Sequence, residues 1–518
     1  MKSFLISFIC CLTFISLQAQ HVIVESGAHI TADSGAIIFL ANTNLANSGK
    51  VQLNDGASLI QNAVNPSNSG SGTYEVNKEG SGYDREYNYW ASPVIGVTRN
   101  AVFPVASTTN LYQFDDPTQT WGTMSGAETL VAGVGYIATG GSGTPETKLT
   151  RSFSNTTGFH SGNVNVSLHY DDDGGSNTNT DNDWNLIGNP YPSGISVNQF
   201  LTDNSGVLDN AIYIWNSDGN DVGSSNADYA TMNAAGVTGA GGGNMPTSNN
   251  IASCQGFFVR SIAAGNATFS NSQRVGTNNT FMRSTQDEWN RVWITAEHEA
   301  GYNNELLIGF MPDAAEAKDR YDAMKLKGSQ HMAFYSYMGT VAENHKMAIQ
   351  GLPSLDDHRI IPLGIEVNTA GQYSFQISHL VNFPTDDYRV LLEDQTLETI
   401  SDLQDGPYVV HLEQNNYTNR FVLRFVPASV TGIEELIEEN PLSIYSYEKK
   451  VYLHFNQTSA QSSTVTVTDV LGKVYLEKEL GTQKGRNEIP MHWMSTGIYV
   501  VTVEHEWGKH VKRVYLGK

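Results

Sequence analysis

The chain has 518 residues, with Lys+Arg 30 against Asp+Glu 53 and a formal net charge of -23. Such acidity repels phosphate and excludes nucleic acid as a partner. Gly is abundant at 48, charged residues make up only 16%, and long 3.6-period apolar stretches are nearly absent, so the expected class is all-β in several domains.

The first twenty residues, "MKSFLISFICCLTFISLQAQ", carry one Lys, an apolar run from Phe4 to Leu17, and small Ala19 before Gln20. That is the layout of a cleavable secretory signal over 1–19. The run is too short for an anchor, which needs about 20 apolar residues, so no transmembrane segment is expected after its removal. Cys10 and Cys11 lie inside the run, and lipid attachment is not expected. Cys254 is then the only cysteine and cannot close an intramolecular disulfide. Its favoured reading is a small buried residue before a strand, against a nucleophilic thiol.

Residues 20–80 repeat a short phrase: "ESGAHI" at 25–30, "DSGAII" at 33–38 and "NDGASLI" at 54–60, with Asn42, Asn44 and Asn47 between copies. Short strands turning at Gly suit a few coils of a β-solenoid, with ordinary hairpins as the alternative. Residues 81–280 place short strands such as "LYQFDD", "AIYIWN" and "GFFVRSI" between long Gly/Asn loops, which reads as a β-sandwich. Within it, "WNLIGNPYPSGI" at 184–195 is an apolar strand ended at Gly188 by Pro190 and Pro192, an architectural feature.

Residues 281–427 form a second strand set, expected as a second β-sandwich, in which only "AAEAKDRYDAMKL" at 314–326 has helical composition. The segment 428–440 carries Glu without Lys or Arg and reads as a solvated linker. Exposed linkers are preferred sites of nicking, so the mature form is expected to end within 427–442.

From Asn440 to Lys518 there are ten Lys/Arg against seven Asp/Glu, so the acidity lies upstream. Residues 441–518 read as strand and turn throughout, with Asp469 and Gly472-Lys473 bracketing a tight turn. The pattern resembles the C-terminal (type A) sorting domain of type IX secretion cargo. The matching positions are Asp469, Gly472 and Lys473, then Ile489, then Gly497, Ile498, Tyr499 and Val503, then Lys512, Arg513 and Val514. "MHWMSTG" departs from the Leu-rich segment usual before the Gly. The resemblance implies an Ig-like β-sandwich, the type IX machinery as partner, and delivery to the outer surface or release. It also implies possible lipopolysaccharide or glycan contacts there, and loss of the tail after export. Phrases within 281–427, such as "MAIQGLP", "IPLGIEV" and "NRFVLRF", and within 184–260, "WNLIGNPYPSGI" and "GFFVR", also resemble modules common in such cargo, which carry no established activity.

Motifs with specific catalytic mechanics are missing: there is no G-x-S-x-G, H-E-x-x-H, P-loop or C-x-x-C, and His331 and His345 lack metal-ligand helical spacing. No catalytic residue is nominated, and an enzyme is the less favoured reading. Asp171, Asp173, Asn177, Asn179, Asp181 and Asp183 alternate oxygen ligands along a Gly-containing loop. The arrangement reads as a solvated hairpin loop, with a calcium site as the alternative. No other cofactor is expected. Trp90, Trp121, Trp184 and Trp215 are weighed as core residues against a sugar-stacking row. The expected function is an exported structural or adhesin-like surface protein, with an extracellular glycan-binding module or hydrolase accessory protein as the alternative.

Overall fold

The computed structural model describes residues 21–41, 43–63, 68–82, 87–103, 111–139, 146–171, 183–216, 228–239, 249–276, 289–338, 345–355, 359–397, 399–428, 442–447, 449–455, 462–469, 472–481, 485–495, 497–505 and 508–516. The expected signal peptide, and the expected linker apart from Ala428, lie outside these residues. The fold is all-β, with the short helices Arg99–Val102 and Val197–Asp203 and one 3₁₀ turn among the described residues. Ser196 caps the second helix by accepting from the Gln199 amide, the role in which serine is favoured at a helix start.

The amino-terminal strands stack in parallel as coils. His21–Val24 pairs with Asn44–Asn47, His29–Ala32 with Lys50–Leu53, and Ile37–Leu40 with Ser58–Gln61. Each repeated phrase forms a corner of this short solenoid. The amides of Ala28, Ala36 and Ala57 donate to the carbonyls of Glu25, Asp33 and Asn54. Gly27, Gly35 and Gly56 sit at φ +80, +81 and +81, the left-handed third position of a type II turn. Alternate residues point inward, and Leu45, Val51, Leu53 and Leu59 form the core of the stack. At its far end the stack is closed, because Thr73–Gly82 pairs in parallel with Lys50–Leu53 and antiparallel with Glu146–Asn155.

The next module combines a four-stranded sheet and a five-stranded sheet. The first orders Thr120–Thr123, Leu111–Asp115, Tyr136–Thr139 and Tyr87–Trp90; the second orders Trp184–Gly188, Gly256–Ser261, Leu208–Asn216, Asp228–Met232 and Val237–Thr238. Cys254 is buried at φ +64, and burial pushes its thiol up to about 12, which fits the packing role.

The second sandwich is one continuous sheet curled round a single core. Its path runs from Thr399–Asp402 through Tyr388–Asp394, Asn415–Pro427, Arg359–Val367, Met332–Met338, His345–Leu352, Asn303–Phe310, Asn290–His298 and Gly371–Val381 to Tyr408–Leu412. Strands from both ends meet in that core, where the Phe375 and Phe421 rings lie 4.8 Å apart. The helix expected over 314–326 does not form; this stretch is turns followed by the two-residue strand Ala323–Met324. Its aspartates compete with helical bonding. Asp319 accepts from the amides of Ala315 and Tyr321, and buried Asp322 accepts from those of Asp319 and Gly351.

The tail packs a three-stranded sheet (Leu442–Tyr447, Lys450–Phe455, Gly485–Pro490) on a four-stranded one (Val474–Leu480, Ser463–Asp469, Gly497–His505, Gly508–Leu516). Val451, Leu453, Val465, Val467, Val501 and Val503 fill the space between the sheets. In the "MHWMSTG" segment, Met491 and Met494 are buried in place of leucines while Trp493 faces out.

Candidate functional site

The tail brings together residues the sequence holds far apart. After the strand Ser463–Asp469, the Gly472 amide donates to the Asp469 carbonyl at 3.0 Å, and the Lys473 amide to Asp469 Oδ1 at 3.0 Å. Gly472 has φ +87, a conformation that disfavours any side chain. Tyr475 donates to Asp469 Oδ2 at 3.4 Å, Lys473 Nζ lies 5.0 Å from the Tyr475 ring centroid, and that ring meets Tyr499 edge-on at 5.7 Å. Asp469, Tyr499 and Val514 are register partners across three adjacent strands, with Val501 opposite Lys512 and Val500 opposite Arg513. Ile489 is buried on the opposing sheet, and the Arg513 side chain lies outside the described residues. Gly497 has ordinary room for a Cβ, 3.7 Å from the Tyr499 ring, so sterics do not explain a glycine there.

Upstream, most of the polar chemistry is spent on joints. Buried Arg274 donates to the carbonyls of Leu59 and Gln61 in the second coil and to Ser193 Oγ and Ser161 Oγ, while its guanidinium lies 4.7 Å over the Tyr191 ring. Burial lowers its pKa to about 10. The Leu59 amide donates to the Pro192 carbonyl, and Asn189 binds the carbonyls of Ser193, Ile251 and Ala252, so "NPYPS" is the seat on which the solenoid rests. A second joint centres on Asp228, fully buried, which accepts from Lys325 Nζ at 2.9 Å, Asn304 Nδ2 at 2.7 Å and the Gly328 amide. Trp293 Nε1 donates to the Val237 carbonyl and Tyr213 to that of Met324 across the same boundary.

The tryptophans belong largely to packing. Trp90 is buried against Phe103 and Phe153, Trp184 meets Tyr213 edge-on, and Trp215 stacks on Tyr89 at 6.1 Å. Trp121 is 39% exposed on the edge strand Thr120–Thr123, backed by Phe114. In the acidic loop, Asp171 donates its amide to Asp183 Oδ1 at 3.0 Å, and Asp183 Oδ2 lies 3.7 Å from Arg260. Asp173, Asn177, Asn179 and Asp181 lie outside the described residues. Among the described residues no three His, Cys, Asp or Glu are grouped to hold a metal ion, and no helix is long and apolar enough to cross a membrane.

Residues 9–425 match the family described as "Domain of unknown function (DUF8693)". The chain belongs to this DUF8693 family. Residues 447–516 match the "Secretion system C-terminal sorting domain", the same segment whose motif residues converge above. The protein is type IX secretion cargo, secreted or attached at the cell surface. Among curated proteins, none matches the sequence. Among solved structures the chain is similar to one titled "Biofilm associated protein - BSP domain", at 10% identity and a TM-score of 0.19, covering 86% of this chain and 63% of that one.

Both joints fall inside the DUF8693 segment, and sequence reading missed Arg274, Asp228 and Lys325. Their partners lie up to 215 positions away, so no local pattern carries the signal. "NPYPS" is the exception, since paired prolines after an apolar strand mark a designed departure from the sheet.

Proposed function

We propose that the DUF8693 body is a rigid, adhesin-like scaffold that the sorting tail delivers to the outer surface. The supporting observation is the pair of joints. Arg274 fastens the solenoid to the first sandwich, and Asp228 with Lys325 fastens that sandwich to the second. Buried charges with full sets of partners hold neighbouring modules in one geometry, as a protein that transmits contact away from a cell requires. Adhesion of a deletion strain, restored with either the wild-type gene or one lacking residues 21–427 but keeping the signal and tail, tests this. Only the full chain is expected to restore cell–cell or cell–surface adhesion. Equal adhesion with and without the body would contradict the proposal.

The exposure of Trp121 favours the glycan-binding alternative at that one position. A glycan array with the purified protein distinguishes the readings, since a specific sugar signal lost in Trp121→Ala would place binding there.

A further inference from the structure

The two ends of the solenoid differ. The far end is closed by the Glu146–Asn155 strand and the Arg274 clamp. At the near end, His21–Val24, His29–Ala32 and Ile37–Leu40 each pair on one side only, with no further strand among the described residues. The carbonyls of Val24, Ala28, Ala32, Ala36 and Leu40 all point to the second coil. By strand alternation, the N–H and C=O groups of Ile23, Thr31, Ile37 and Phe39 therefore face outward along the solenoid axis. Such free edges are usually blunted with Lys or Pro. Residues 21–41 contain neither, whereas the edge strands of the tail carry Lys478, Lys509 and Lys512. Apolar side chains surround the edges: Ile23 is 64% exposed and Phe39 57%, Ile37 is 47% exposed with one flank against Gly276, and Val22, Ile30 and Ile38 are only half-buried.

We infer that this end is a homophilic docking surface, occupied by the same end of a second copy of the chain. The three edges are each four residues long, so a twofold axis can set strand 21–24 antiparallel to its own copy and strand 29–32 antiparallel to strand 37–40 of the other. Antiparallel pairing brings His21 of each copy beside Glu25 of the other, an imidazole next to a carboxylate; both are exposed here. Three short edges cover less than the ~800 Å² per partner of a standard interface, so the contact is weak and reversible in solution. Many copies displayed on facing surfaces would strengthen it through effective concentration. This names the partner in the adhesive reading above; self-association in solution can be measured independently of that reading.

The test is sedimentation of the full mature chain at rising concentration, with the Ile23→Pro/Thr31→Pro double variant beside it. Proline removes N–H groups that the coil does not use internally, so the variant should keep the wild-type melting temperature. The expected result is a reversible monomer–dimer equilibrium for wild type and a monomer for the variant. A wild type monomeric throughout, or an undiminished dimer in a folded variant, would overturn the proposal. If the variant unfolds, hydrogen exchange of the wild type decides: protection of the Ile23, Thr31 and Phe39 amides should appear only as concentration rises. Full protection already in the monomer would mean that another segment of the chain covers the edge, and would overturn it.

Discussion

The Tyr408 hydroxyl donates to Asp394 Oδ2 at 2.9 Å, joining the last strand of the long sheet to the second strand at its other end. Arg420 adds three bonds to the same carboxylate, at 2.7 to 3.0 Å. Burial alone would raise the Asp394 pKa, but the bonds from Arg420, Tyr408 and the Leu397 amide outweigh it and hold it below its ordinary 3.8. A depressed carboxyl stabilises the fold above its unfolded pKa, and that stability is lost as pH falls through the folded value. Tyr408→Phe should cost about 1–2 kcal/mol and Arg420→Ala about 3–5 kcal/mol, because the latter leaves a buried charge unpaired. Urea unfolding at pH 7 measures both, and the Arg420→Ala deficit should shrink below pH 4.

Asp322 shows the opposite sign. Burial raises its carboxyl from 3.8 to about 7, against the bonds from the Asp319 and Gly351 amides. The fold therefore favours the protonated form, so this residue's contribution to stability declines as pH rises from about 4 to 7 and is flat above. Asp322→Asn should remove that decline. The observable is the pH slope of unfolding free energy, since the substitution also weakens an amide contact at every pH.

Arg274→Ala should loosen the solenoid from its seat and cost about 3 kcal/mol or more, because several buried carbonyls and hydroxyls lose a charged donor together. Lysine should restore little, lacking the planar fork that spans Leu59, Gln61 and Ser193. Limited proteolysis should show new cuts near residues 61–63 before the second sandwich is affected.

In the tail, Gly472→Ala forces a side chain into the left-handed region and should cost about 1–2 kcal/mol. Asp469→Ala removes the acceptor for Lys473 and Tyr475. Both variants should slow export, read as precursor accumulating in the periplasm, whereas Gly497→Ala should be mild because its Cβ would stand at ordinary contact distance, 3.7 Å, from the Tyr499 ring.

Much of this architecture was legible because it is local. The E-S-G-A, D-S-G-A and N-D-G-A phrases encode corners whose glycines must sit near φ +80, and "STVTVTD" alternates in burial as it alternates in sequence. The stretch 314–326 misled because helix-forming composition was overridden by aspartates bonding to neighbouring amides. The joints were illegible for another reason: Arg274 and Asp228 are single residues whose meaning depends on carbonyls, amides and side chains far along the chain.

Delivery by the tail is tested most directly by removing residues 441–518 and fractionating the cells. The truncated protein is expected to fold, lose its signal peptide and remain in the periplasm, absent from the surface and the medium. Unchanged surface display or release of the truncated chain would contradict the account.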